Sequence, residues 1–139
     1  KACELGVDEI SFIYTTNTER PKLKLDRLEK KTISALKQSK GGLKTILNPL
    51  IKFEKFIEKT QNYTRYIASV RPGLPHLINC LTPQSHHIIL IGPEGDFTSP
   101  ELRKALKKGY QPVSLGKKIL RTETAGIMSA ISVNLIHHY

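Results

Sequence analysis

Two glycine-bearing stretches carry the residue types that could do chemistry. The first is Ile91-Gly92-Pro93-Glu94-Gly95-Asp96-Phe97, and the second is Leu115-Gly116-Lys117-Lys118-Ile119-Leu120-Arg121-Thr122-Glu123-Thr124-Ala125. Glycines in such turns let backbone approach a ligand, or simply reach a positive φ in a tight bend. The residues alone leave both readings open. Arg121 and Glu123 place a fixed cation and a carboxylate on either side of a helix start. Each also has a plainer role, because a carboxylate suits the positive end of a helix dipole and an arginine is a common surface cation. Two such turns in succession, the second leading into Arg-Thr-Glu-Thr, favour a convergent site.

Spacing excludes several other sites. Too many residues separate Gly109 from Gly116-Lys117-Lys118 for a P-loop, and Lys118 stands where Ser or Thr is required. Gly92-Pro93-Glu94-Gly95 is not the dinucleotide fingerprint. The pairs His86-His87 and His137-His138 are adjacent in sequence, so their side chains diverge and no metal is expected. No Ser/His/Asp arrangement stands out. Cys3 and Cys80 are isolated thiols, which fit a reduced, cytoplasmic protein better than a disulfide framework. The formal charge of +10 favours a polyanionic partner, since Lys and Arg neutralise phosphates and release counterions; a lysine-rich surface also serves solubility.

The elements that must position these turns follow from patterning. The 139 residues suit one domain with a real core. No apolar run approaches the ~18–20 residues of a membrane span, and no signal-peptide pattern is present. The opening Lys1-Ala2-Cys3-Glu4-Leu5-Gly6 lacks an initial Met and reads as a last helical turn with Gly6 at C′, as in a fragment of a longer protein. Ile10–Tyr14 is β-branched and aromatic, hence a strand. A polar loop follows to Lys24. Asp26 then reads as the N-cap of a helix through Gln38, with Glu29 completing a capping box. Gly41-Gly42 ends it. The spacing predicts an extended piece at Ile46–Ile51, a short amphipathic helix around Phe53, Phe56 and Ile57, a strand at Tyr66–Val70 and a loop at Arg71–Pro75. His87–Ile91 is continuously apolar, as in a parallel strand covered on both faces. Ser99 reads as a helix cap with Pro100 at N1, and Gly109 stops that helix. Pro112–Leu115 forms the next strand. Thr122 reads as the cap of a final helix carrying Ala125, Ile127, Met128, Ile131 and Leu135. The βαβα order implies a parallel sheet with helices on its faces, and open sheets of this kind bind ligands beyond their strand ends.

With these residues in view, the chain resembles the RsmE family of 16S ribosomal RNA uridine N3-methyltransferases, in the SPOUT superfamily. The resemblance rests on Ile91–Phe97 with Glu101 downstream, on Leu115-Gly116 followed by Leu120-Arg121-Thr122-Glu123-Thr124-Ala125, and on Glu4-Leu5-Gly6-Val7 and Gln38-Ser39. It covers essentially the whole chain. It implies an α/β fold, a SPOUT-type parallel sheet with helices on both faces and a C-terminal trefoil knot, forming one domain over residues 1–139. It further implies a homodimer, 16S ribosomal RNA in the small ribosomal subunit as partner, no membrane and no metal. Members also carry an N-terminal PUA-like RNA-binding domain, which this chain lacks. Where members have an Arg shortly after Gln-Ser, this chain has Lys40-Gly41-Gly42. S-adenosyl-L-methionine is expected at Ile91, Gly92, Pro93, Glu94, Gly95, Leu115, Gly116, Ile119, Leu120 and Arg121. Arg121 and Glu123 are the expected catalytic residues. Arg121 would stabilise a uracil anion or grip phosphate, and Glu123 would act as base or positioning group. A related enzyme acting on transfer RNA or a ribose hydroxyl, and a non-catalytic knotted RNA-binding module, are the alternatives.

Overall fold

The computed structural model describes residues 1–19 and 21–138, the side chain of His138 excepted. The chain opens on a helical turn closed at Gly6. The Gly6 and Val7 N–H groups donate to the Cys3 and Ala2 carbonyls, and Gly6 has φ 77°, so the expected C′ glycine is in place. The strand β1 (Glu9–Tyr14), the helix α1 (Leu25–Ser39) and the strand β2 (Ile46–Lys52) form a βαβ unit in parallel register, Glu9 opposite Ile46.

The helix α2 (Phe53–Phe56) and a single 3-10 turn (Ile57–Lys59) lead into β3 (Thr64–Ala68), α3 (Leu77–Cys80), β4 (His87–Leu90), α4 (Ser99–Lys107), β5 (Gln111–Val113) and α5 (Thr122–His138). β3 is the centre of a second parallel sheet, ordered β4-β3-β5. Pro112 is tolerated because β5 is an edge strand. Side chains alternate across this sheet. Ile67 and Leu90 pack with Phe53, Ile57, Leu102, Ala105 and Tyr110 on one face. Tyr66, Val113 and Ile89 pack with Leu77, Leu81, Val133 and Ile136 on the other. Helices therefore cover both faces, as the apolar run at β4 requires. Full burial of side chains such as Phe53 and Leu77 contributes ~1.5–3 kcal/mol each. Among the described residues no helix is long and apolar enough to cross a membrane, and no group of three or more His, Cys, Asp and Glu is placed to hold a metal.

The helix starts differ from expectation in an instructive way. α1 begins after Lys24 with no side-chain cap. Asp26 lies inside its first turn, and Glu29 pairs with Lys44 at 2.6 Å instead of closing a capping box. For α4 the cap is Thr98, not Ser99. The Thr98 hydroxyl accepts from the Glu101 N–H and the Glu101 carboxylate accepts from the Thr98 N–H at 2.8 Å. Thr98 wins because it has a glutamate three residues on, whereas Ser99 has Leu102. Thr122 is the first residue of α5 rather than its cap; the Arg121 carbonyl receives the Ala125 N–H at 2.9 Å. β3 starts at Thr64 and stops at Ala68, so Ser69 and Val70 belong to the loop beyond. The four-residue α3 is too short to show a period in sequence.

Candidate active site

Parallel pairing puts the C-terminal ends of β3, β4 and β5 side by side, so three loops meet there. The first glycine turn follows β4. Its Asp96 N–H donates to the Pro93 carbonyl at 2.8 Å, closing a turn over Glu94 and Gly95. Asp96, not a glycine, takes the positive φ of 61°, and its carboxylate accepts its neighbour Phe97's N–H at 2.8 Å. Asp tolerates this region because its short side chain bonds locally. Gly92 and Gly95 are required for close packing instead. A Cβ on Gly92 would come within 3.2 Å of the Asp96 carboxylate and the Phe97 ring, and one on Gly95 would reach 3.0 Å from the Asn17 Cβ. Phe97 packs with its ring centre 5.5 Å from that of the fully buried Phe53, tilted by 42°, which anchors the turn to the core.

The second turn follows β5. Gly116 has φ 136° and open space where a Cβ would sit, and Ser114 braces it by bonding both its N–H and its carbonyl at 3.1 Å. Leu115 and Leu120 are half-buried, while Ile119 is 83% exposed. The turn ends on the contact that joins the two stretches: the Thr122 hydroxyl donates to the Gly92 carbonyl at 2.9 Å. Ile91, Gly92, Pro93, Glu94 and Gly95 thus lie on one turn, Leu115, Gly116, Ile119, Leu120 and Arg121 on the other, and the Thr122 bond holds the turns together. The side chains of Arg121 and Glu123 are exposed beside this junction, and no bond among the described residues ties either to the glycine turns.

A third loop, residues 69–76, reaches the site without any signal in the sequence. The Ser69 N–H donates to the Val113 carbonyl, the Ser114 N–H to the Pro75 carbonyl, and the Leu77 N–H to the Ser114 carbonyl, all within 3.0 Å. The Arg71 guanidinium reaches the Ser99 hydroxyl at 3.1 Å, at the start of α4. Only the central place of β3 brings this loop to the site, and sequence patterning does not reveal strand order. Two surface clefts lie elsewhere, one lined by Leu23–Arg27 and Lys30 and one between the N-terminal turn, β1 and α1. The strand-end loops instead present an open surface, with Arg71, Glu94, Lys117, Lys118, Arg121 and Glu123 exposed around it.

The chain that folds into this arrangement is matched over residues 1–134 by the model of the RNA methyltransferase domain family. The chain belongs to this family. A curated relative, the ribosomal RNA small subunit methyltransferase E of Mesomycoplasma hyopneumoniae (strain 232), is 35% identical over 132 residues, covering 91% of this chain and 58% of the relative. The crystal structure of a probable rRNA-methyltransferase from Porphyromonas gingivalis superposes with a TM-score of 0.90 at 37% identity, over 97% of this chain and 58% of that one. A ribosomal RNA small subunit methyltransferase E from Neisseria gonorrhoeae, solved bound to S-adenosyl methionine, gives 0.87 at 30% identity, over 98% of this chain and 58% of that one. The RNA methyltransferase domain described here thus spans somewhat over half the length of these relatives.

Proposed function

We propose that the chain is the catalytic domain of an S-adenosylmethionine-dependent enzyme that methylates N3 of a uridine in 16S ribosomal RNA. The single observation that carries this reading is the Thr122–Gly92 bond, which makes one site of the two motif turns. The Neisseria relative binds S-adenosyl methionine on the same fold. The residues here suit that ligand: exposed and half-buried aliphatic side chains at Leu115, Ile119 and Leu120, and open space beside Gly116. The donor supplies an electrophilic methyl group. The chain's own residues then have three tasks. Ile91–Gly95 and Leu115–Leu120, with the backbone of Arg121, hold and orient the donor, so that donor and acceptor meet in line. Arg121 stabilises negative charge that develops on the uracil ring as N3 loses its proton. Glu123, in the first turn of α5, receives that proton or positions the base.

The same reading assigns the chain to the SPOUT superfamily, with a trefoil knot in which the segment after β5 is pinned under the loop after β3. The bonds from Ser114 and Leu77 between those segments support it. A homodimer is proposed on the stripe Met128, Ile131 and Leu135 of α5, which is 36%, 37% and 43% exposed. The test is mass spectrometry of nucleosides from small-subunit RNA and, separately, transfer RNA, each treated with the full-length protein and donor. N3-methyluridine is expected; a modified ribose, a product confined to transfer RNA, or no product despite donor binding would each replace this reading.

A further inference from the structure

The connection between β1 and α1 is fastened to the first glycine turn by two side chains that the reaction described above does not use. The Asn17 amide donates to both the Gly95 and the Asp96 carbonyls at 3.1 Å. Gly95 leaves no room for a side chain between them, since a Cβ there would lie 3.0 Å from that of Asn17. Glu101, only 2% exposed, spans the same junction with separate oxygens. One accepts the Thr98 N–H at 2.8 Å and the other the Thr16 N–H at 3.1 Å. A buried carboxylate is costly unless its oxygens are bonded, and this one is bonded to two different loops. The connection is itself closed at this point, with the Thr15 N–H bonding the Thr18 hydroxyl at 2.9 Å and the Thr18 N–H the Thr15 carbonyl at 3.2 Å. Gly95 and Asp96 are therefore tied directly to a short closed turn.

Beyond that turn the chain is cationic. Lys22, Lys24, Arg27, Lys30 and Lys31 are all exposed, and the ion pairs found among the described residues, Lys44–Glu29 and Lys104–Glu54, involve none of them. Lys24, Arg27 and Lys30 line one surface cleft together with a single carboxylate, Asp26. Lys24 is seven residues beyond Asn17, so it lies within ~25 Å of Asn17. Resting on the proposed function, we infer that Asn17 and Glu101 are positioning residues that couple donor binding at Gly92–Asp96 to the binding of RNA phosphates by Lys22, Lys24, Arg27 and Lys30. Coupling of this kind is reciprocal: the factor by which RNA tightens the donor equals the factor by which the donor tightens RNA.

The test measures that factor in the full-length protein with S-adenosylhomocysteine, which binds without reacting, and a 16S ribosomal RNA transcript. Saturating RNA should tighten the ligand about five-fold or more in the wild type, at the lower end of typical couplings, and less than two-fold in Asn17→Ala. Asn17→Asp keeps the shape but turns acceptors toward two carbonyls, so it should lose the coupling as completely. Asn17 is exposed, and neither change opens the core. The variant Lys24→Ala/Arg27→Ala/Lys30→Ala should lower the slope of log affinity against log salt by about 2–3, at ~0.7–0.9 per phosphate contact. The exposed trio Arg103 and Lys107 on α4 and Lys108 at its C-terminal cap, changed in the same way, should lower it by less than half as much. Coupling near one in the wild type, coupling retained by both Asn17 variants, or equal slopes for the two trios would overturn the inference while leaving the proposed function standing. Absence of ligand binding altogether would bring down both.

Discussion

Thr122→Val removes a hydroxyl and almost nothing else. The Thr122 hydroxyl is bonded to the Gly92 carbonyl at 2.9 Å, and both residues are half-buried. Val keeps the branched shape and a similar helix propensity. An intramolecular hydrogen bond of this type is worth ~0.5–1.5 kcal/mol net. If the bond preorganises the two turns for the donor, most of that energy should appear as lost affinity, a factor of about 2–12 at 1.4 kcal/mol per decade. Global stability should fall by no more than the same amount, which for a chain of this length is about 3 °C per kcal/mol. Isothermal titration with S-adenosylhomocysteine, alongside thermal unfolding, reads both quantities. Thr122→Ser keeps the hydroxyl and should stay within two-fold of wild type. A Thr122→Val protein that loses melting temperature but binds the ligand as well as wild type would refute the idea that this bond assembles the site.

Arg121→Ala in the full-length enzyme should lower the methylation rate by ~10²-fold or more, as for lost oxyanion donors, with donor affinity little changed. Lys there should rescue in part, lacking the planar fork; loss of donor binding with the fold intact would move Arg121 to the donor side. Glu123→Gln should cost rate in a way that shrinks as pH rises if Glu123 is the base, and a near-silent variant would leave it as a helix-start residue. Sedimentation at micromolar concentration should give about twice the chain mass, and Ile131→Glu, which places a charge in the exposed stripe of α5, should give a monomer; a wild-type monomer would remove the dimer. His87 is pushed below the ordinary imidazole value of 6.5 by burial first, with repulsion from His137 and His86 adding to it and its bond to the Thr82 carbonyl opposing it. The fold therefore favours the neutral ring and the unfolded chain binds the extra proton, so the contribution is complete above pH 6.5 and is lost as pH falls below it. Melting curves from pH 7.5 to 5.5 should fall more steeply for wild type than for His87→Gln; parallel slopes would contradict this.

The strands and the two glycine turns are legible in the sequence because their signals are local. The apolar run at His87–Ile91 and the β-branched run at Ile10–Tyr14 each report burial of a few consecutive residues. Helix starts are harder, since neighbouring Thr98 and Ser99 compete and only the position of Glu101 decides between them. Conformational freedom is not what the first turn asks of its glycines. Gly92 and Gly95 are small because Phe97 and Asn17 lie against them, which depends on residues up to 78 positions away in sequence. Strand order is illegible for the same reason. With β3 in the middle, loop 69–76 joins the site, and the clasp of Asn17 and Glu101 emerges only once β1 and α4 are placed. The Thr-x-x-Glu signature of a capping box at Thr98 is present in the sequence, but nothing there signals the second bond of Glu101, to Thr16.

The most direct test of the site is hydrogen exchange followed residue by residue, with and without S-adenosylhomocysteine. The ligand should slow exchange in residues 91–97 and 115–122, and to a smaller degree in residues 69–76, with a smaller effect still at the cleft Leu23–Lys30 unless RNA is added. Protection centred on that cleft, or none in either glycine turn at saturating ligand, would contradict the assignment of the strand-end loops as the methyl donor's site.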